Sequence, residues 1–178
     1  MTIARNKEND MSKILPLLVG LGGFVVLDPA TGAEELPYVK VRALSMETAN
    51  KAALAAARHC AKQGYQASVA VTDRYGNLLS FVRSPLSGKH TIEGAINKAW
   101  SAATLQGSTE ELGPRLPHLR GSKQFSLIGG GLAIRAGGVM YGAIGVAGAP
   151  GKKTPGDVDD ECAKAGVAAI QEELEFAQ

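Results

Sequence analysis

The sequence predicts an α+β fold built on a mostly antiparallel sheet of about five strands, close to the usual size of a sheet. Three observations carry that expectation. Residues 67–72 (ASVAVT) and 78–83 (LLSFVR) flank Asp73-Arg-Tyr-Gly-Asn77. Val69 and Val71 alternate there with Ala70 and Thr72, the period-two signal of a strand with one face buried. Residues 125–128, 132–135 and 139–146 are apolar runs separated by Gly129-Gly-Gly131 and Gly137-Gly138, as in a meander. Before, between and after these strands, small apolar residues recur at helical spacing.

The 178 residues are 45% hydrophobic and 20% charged, the balance of a globular chain rather than a disordered one. Aromatics make up only 5% while glycines number 22, so the core must rest on small side chains and close backbone approach. The net charge of +2 is scattered, with no basic stripe interleaved with aromatics, which argues against a nucleic-acid partner.

Residues 1–33 are set apart from the fold. Met11-Ser-Lys13 precedes an apolar run over 14–27, and Thr31 and Ala33 supply small residues after it. This is the pattern of a secretory signal, with Met11 read as the start and cleavage after Ala33. The run is shorter than the roughly 20 residues of a membrane span. The mature chain, 34–178, is therefore expected to be a single domain, periplasmic or secreted and not held in a membrane.

Along that chain, residues 34–44 read as an extended arm. Ser45 is a good N-cap for a first helix, with Glu47 favourable in its opening turn. Met46, Ala49, Ala52, Ala53, Ala56, His59 and Cys60 share one stripe of it, and Gly64 ends it. Gly76 and Asn77 suit the positive φ of a hairpin turn, and Asp73 starts that turn through a side-chain bond to the backbone. A loop with Ser84, Ser87, Lys89 and His90 leads to a second helix capped by Thr91 and stopped by Gly107. Ser108-Thr-Glu-Glu111 has the form of a capping box for a short turn ended by Gly113-Pro114. Residues 115–123 form a basic loop with His118, Arg120 and Lys123. The Gly-rich final strand signals close approach of another backbone or a ligand, and Asp157 caps the last helix.

No strong catalytic motif is present: there is no nucleophile elbow, no His-Glu-x-x-His and no P-loop. Gly129-Gly-Gly131 has the letters of a phosphate loop but lies between strands rather than before a helix, which favours a tight turn. The candidate ligand-binding residues are Arg83, His90, Lys98, Gly130 and Gly131, gathered where a strand exit meets a helix start. Arg83 can clamp a carboxylate. Lys98, flanked by small alanines, either reaches an anionic group or snorkels along the surface. Cys60 and Cys162 lie on two expected helices. They pair as a disulfide if those helices are neighbours, or stand as small buried hydrophobes.

From residue 44 to about 169 the chain resembles the GlcG/HbpS family of haem-binding proteins, also seen as the carboxy-terminal domain of PduO-type adenosyltransferases. The matching stretches are Ala67-Ser-Val-Ala-Val-Thr-Asp-Arg-Tyr-Gly-Asn-Leu-Leu-Ser-Phe-Val-Arg83 and Ala95-Ile-Asn-Lys-Ala-Trp-Ser-Ala-Ala-Thr104. Gly129-Gly-Gly-Leu-Ala-Ile134, Gly142-Ala-Ile-Gly-Val-Ala-Gly148 and the helix opening at Asp157 follow in order. The resemblance implies a profilin- or PAS-like layer with the first and last helices packed on one face of the sheet. That packing would bring Cys60 near Cys162. It also implies a homo-oligomer, from dimer to octamer, and a haem ligand. The Glu-x-x-Glu iron site of one member type has no counterpart in the first mature helix.

The leading expectation is an exported protein that binds haem or a related tetrapyrrole, with propionates met by Arg83, Lys98 or the basic loop. Since haem iron usually takes His, Cys, Met or Tyr, His90 and His118 are the candidate iron ligands. The alternatives are an isomerase or lyase acting on a small hydroxy or oxo acid, with His90 or Lys98 as base, and a non-catalytic oligomeric interaction protein.

Overall fold

The computed structural model describes residues 37–177; the expected leader, 1–33, lies outside them. Over residues 40–177 the elements run α1 (Met46–Lys62), β1 (Ser68–Asp73), β2 (Leu78–Arg83), α2 (His90–Leu105) and α3 (Thr109–Arg115). A short 3-10 turn (Pro117–Leu119), β3 (Gly131–Ala136), β4 (Val139–Ala147) and α4 (Asp157–Phe176) complete the chain. Among the described residues the sheet has four strands in the order β2-β1-β4-β3, antiparallel throughout.

Each element follows from its local sequence. Ser45 caps α1, its hydroxyl accepting the N–H of Thr48 at 3.1 Å. Beyond Lys62 the chain leaves the helix through Gly64 at φ +85°. In the hairpin turn Asp73 accepts the N–H groups of Tyr75 and Asn77 at 2.8 and 2.9 Å, and Gly76 takes φ +89°. Three caps differ from expectation. Ser108 precedes α3 but its side chain makes no capping hydrogen bond, and the helix runs on past Gly113 and Pro114 to Arg115. Helix α2 starts at His90, before Thr91, whose buried hydroxyl donates back to the Gly88 carbonyl. Helix α4 is preceded by Gly156, and Asp157 instead accepts the N–H groups of Lys152, Lys153 and Thr154. That folds the preceding loop over the helix start.

The period-two pattern sorts the two faces of the sheet. Val69, Val71, Ile144 and Val146 meet α1 and α4 in the main core, together with Ala52, Ala56, Ala163 and Ile170. Ala70, Ala95, Ala99 and Ala147 form a second cluster beneath α2 on the other face. Glycine makes this close approach possible. A Cβ on Gly145 would lie 2.2 Å from the Ala95 carbonyl oxygen, and one on Gly166 would lie 2.8 Å from that of Ala52.

Helices α1 and α4 run antiparallel. Cys60 at the end of α1 is bonded to Cys162 near the start of α4, with a Cα separation of 5.5 Å. At the opposite end Lys51 meets Glu173 at 3.0 Å. Both cysteines are fully buried, so the disulfide joins two helices within the core.

One expected strand is missing. Residues 125–128 are not in the sheet, because their backbone groups find other partners. Ser126 N–H donates to the Ser101 hydroxyl at 2.9 Å, the Ile128 carbonyl accepts the Thr109 hydroxyl at 2.6 Å, and Gly129 N–H donates to the Pro155 carbonyl. A Cβ on Gly113 would lie 2.4 Å from the Leu127 carbonyl oxygen, so α3 presses directly onto this segment. The segment becomes a wall instead of a fifth strand.

Candidate functional site

The cations expected to gather at the start of α2 do not share one point. Arg83 donates to the Ser87 carbonyl, closing the loop after β2 on itself. Beneath it the hydroxyls of Ser68, Ser87 and Thr91 form a buried cluster, with Ser68 and Thr91 2.7 Å apart. Exposed His90 borders a shallow depression with Lys89, Ile92 and Glu93, which includes neither Arg83 nor Lys98.

Lys98 lies two turns further along α2 and points inward. Its Nζ donates to Asp159 Oδ2 at 2.7 Å, with the two side chains only 3% and 5% exposed. Asp159 Oδ1 accepts the N–H of Ala149 at 2.9 Å. This ion pair therefore fastens α2, the loop after β4 and the first turn of α4 together. The anionic group within reach of Lys98 belongs to the protein, and the lysine neither snorkels nor opens to solvent.

Gly130 and Gly131 roof that pair. A Cβ on Gly130 (φ +111°) would sit 2.7 Å from the Asp159 Cβ and 3.1 Å from the Lys98 Nζ. On Gly131 it would meet the Lys98 carbonyl oxygen at 2.6 Å. The space beside these glycines is filled by the chain itself, and they bend into β3 rather than turn between two strands, since residues 125–128 form none.

A larger opening lies on the other side of residues 126–129. It is a cleft of ≈ 640 Å³, within the range of small-molecule and cofactor sites. Phe125, Leu127, Ile128, Pro114 and Pro155 supply apolar surface, and Glu110, Arg120, Ser126 and Thr154 supply polar groups. Its shape comes from three tethers. The Thr109 hydroxyl, 2.6 Å from the Ile128 carbonyl, also accepts the Gly131 N–H at 3.0 Å, which holds α3 against the wall. The Thr154 hydroxyl donates to Glu110 at 3.3 Å across the cleft. Phe125 is backed by Trp100, with ring centroids 5.0 Å apart and the planes tilted by 55°.

The basic loop contributes Arg120 to this cleft. His118 lies two residues earlier in the 3-10 turn and is exposed; neither it nor His90 lines the cleft. Among the described residues no group of three or more His, Cys, Asp and Glu is placed to hold a metal ion. The apolar walls and the guanidinium suit a flat hydrophobic ring with carboxylate arms. Apart from Arg120, the sequence pointed to none of these residues as a site. The available signal was an apolar run, 125–128, followed by a glycine triplet.

Residues 44–168 match the family model described as haem degrading protein HbpS-like. The chain belongs to the HbpS-like family. A double mutant of Streptomyces reticuli HbpS superposes with a TM-score of 0.70 at 35% identity, covering 80% of this chain and 97% of that one. A PduOC:haem complex gives a TM-score of 0.63 at 25% identity, covering 72% and 95%. Klebsiella pneumoniae ORFY, at 23% identity and a TM-score of 0.67 over 78% and 97%, shares the fold. No curated protein matches the chain. The HbpS-like membership agrees with the profilin-like layer described above, with α1 and α4 together on one face, on four strands rather than five.

Proposed function

We propose that this HbpS-like protein binds haem in the cleft between α3, residues 125–129 and the loop before α4. The observation that carries the reading is the lining of that cleft. Phe125, Leu127, Ile128, Pro114 and Pro155 form a wall for an apolar macrocycle, and Arg120 stands where an anionic arm would meet it. Burying an apolar ring gives non-directional affinity in proportion to the area removed from water. A guanidinium recognises a carboxylate through two parallel hydrogen bonds, which fixes the orientation. A relative solved as a PduOC:haem complex supports the same ligand class.

Export belongs to the same proposal. The buried Cys60–Cys162 disulfide suits an oxidising compartment, as does the signal-like pattern of residues 11–33. A homo-oligomer does too, supported by the outer edge of β2, which pairs with no other strand among the described residues, and by exposed Leu78 and Leu86. Light scattering of the purified chain tests it.

The direct test of ligand class is a titration with ferric haem followed in the Soret band. A saturable shift is expected, weakened about tenfold or more in Arg120→Glu, since a charge-assisted hydrogen bond is worth about 1.5–3 kcal/mol. A linear, unsaturated response in the parent would remove the haem reading.

A further inference from the structure

Resting on the haem reading, the geometry points to a cleft that recognises the macrocycle and its carboxylates but not the metal. Iron-free porphyrin should bind as haem does. The chemistry of the donor set sets this preference. Haem iron is ordinarily held by imidazole, thiolate, thioether or phenolate. Among the described residues lining the cleft the only side-chain heteroatoms are the carboxylate of Glu110, the guanidinium of Arg120 and the hydroxyls of Ser126 and Thr154. Glu110 offers a carboxylate, which is outside that set, and its Oε1 accepts from the Thr154 hydroxyl at 3.3 Å; a guanidinium has no lone pair to give. The other two polar groups are neutral hydroxyls, poor donors to iron. By contrast the features that suit a tetrapyrrole, an apolar wall and a cation beside it, do not depend on what sits at the ring centre. The affinity therefore comes from ring burial and the carboxylate contact, and a bound haem keeps its iron free of a strong protein ligand.

The protein carries its own reporter. Trp100 is the single tryptophan, and its ring packs against Phe125 on the cleft wall. Porphyrins absorb where tryptophan emits, whether or not they hold a metal, so any of them seated in the cleft quenches Trp100. The experiment titrates the full chain with protoporphyrin, its zinc complex and ferric haem, with free tryptophan correcting for absorbed light. Three saturable curves are expected, with midpoints within about threefold of one another, well short of the tenfold that 1.4 kcal/mol of iron coordination would give. Phe125→Ala should weaken all three in the same proportion, while His90→Ala and His118→Ala leave them unchanged. Haem binding tenfold tighter than protoporphyrin would overturn metal indifference, as would selective loss of haem affinity in either histidine variant. If haem binds and protoporphyrin does not, this inference fails while the haem reading stands; if none of the three binds, both fail.

Discussion

Two ion pairs show how the surroundings of a side chain decide its weight. Lys98 and Asp159 meet inside the protein, whereas Lys51 and Glu173 meet with roughly half of each side chain in water. Removing one partner of a buried pair leaves an uncompensated charge, at a cost of about 3–5 kcal/mol. Lys98→Met and Asp159→Asn should each lower stability by that order in urea unfolding, while Lys51→Ala leaves the midpoint nearly unmoved; equal small effects would show that water reaches the interior pair. Asp157 gives a pH dependence of known sign. The N–H groups of Lys153 and Lys152 hold its carboxyl down from 3.8 to about 2. Its contribution is therefore full above pH 3.8 and lost as the pH falls through about 2. The stability gap between the parent and Asp157→Asn should close over that interval, and a gap that stays constant would contradict the arrangement. Gly145 makes a steric prediction. An added methyl would meet the Ala95 carbonyl and the Ala99 N–H, so Gly145→Ala should destabilise by at least the ~1–3 kcal/mol of an overpacked core. Gly121→Ala, with open space around it, should not.

Among the elements, the disulfide is the strongest constraint. It closes a separation of 102 residues between the end of α1 and the start of α4. A loop of that length corresponds to about 4.7 kcal/mol of lost unfolded-state entropy. Cys60→Ala with Cys162→Ala should lower unfolding stability by about 3–5 kcal/mol while the helical circular dichroism of the folded chain is retained. An unchanged urea midpoint would mean that the bond does not constrain the unfolded chain. The elements also show what the sequence could reveal. The hairpin was legible because Val69 and Val71 alternate with Ala70 and Thr72 and because Asp73 and Gly76 carry turn chemistry. The stripe of alanines marked α1. Residues 125–128 were misread because a short apolar run looks the same whether its backbone pairs in a sheet or is held by side chains. Here the hydroxyls of Ser101 and Thr109 took the place of a neighbouring strand, and hydroxyls 19 and 25 residues away leave no periodic mark. Lys98 was legible as a lysine among small residues that either reaches an anion or snorkels, and the sequence did not decide between the two. Its partner, 61 residues further on, was not legible.

At the level of the whole molecule, one four-stranded sheet carries two helices on one face and α2 on the other. The Lys98–Asp159 pair pins α2 to the start of α4. The loop before α4 and the wall of residues 125–129 are thereby held in place, with the cleft between them. Binding and stability are thus linked through shared anchors, and a ligand that occupies only the folded cleft must raise the unfolding midpoint. The central claim is that haem occupies this cleft. A crystal structure of the protein with haem tests it most directly. The ring should lie against Phe125, Leu127 and Pro155 with a propionate at Arg120; a haem seated instead beside Lys89 and His90, with the cleft empty, would contradict the account.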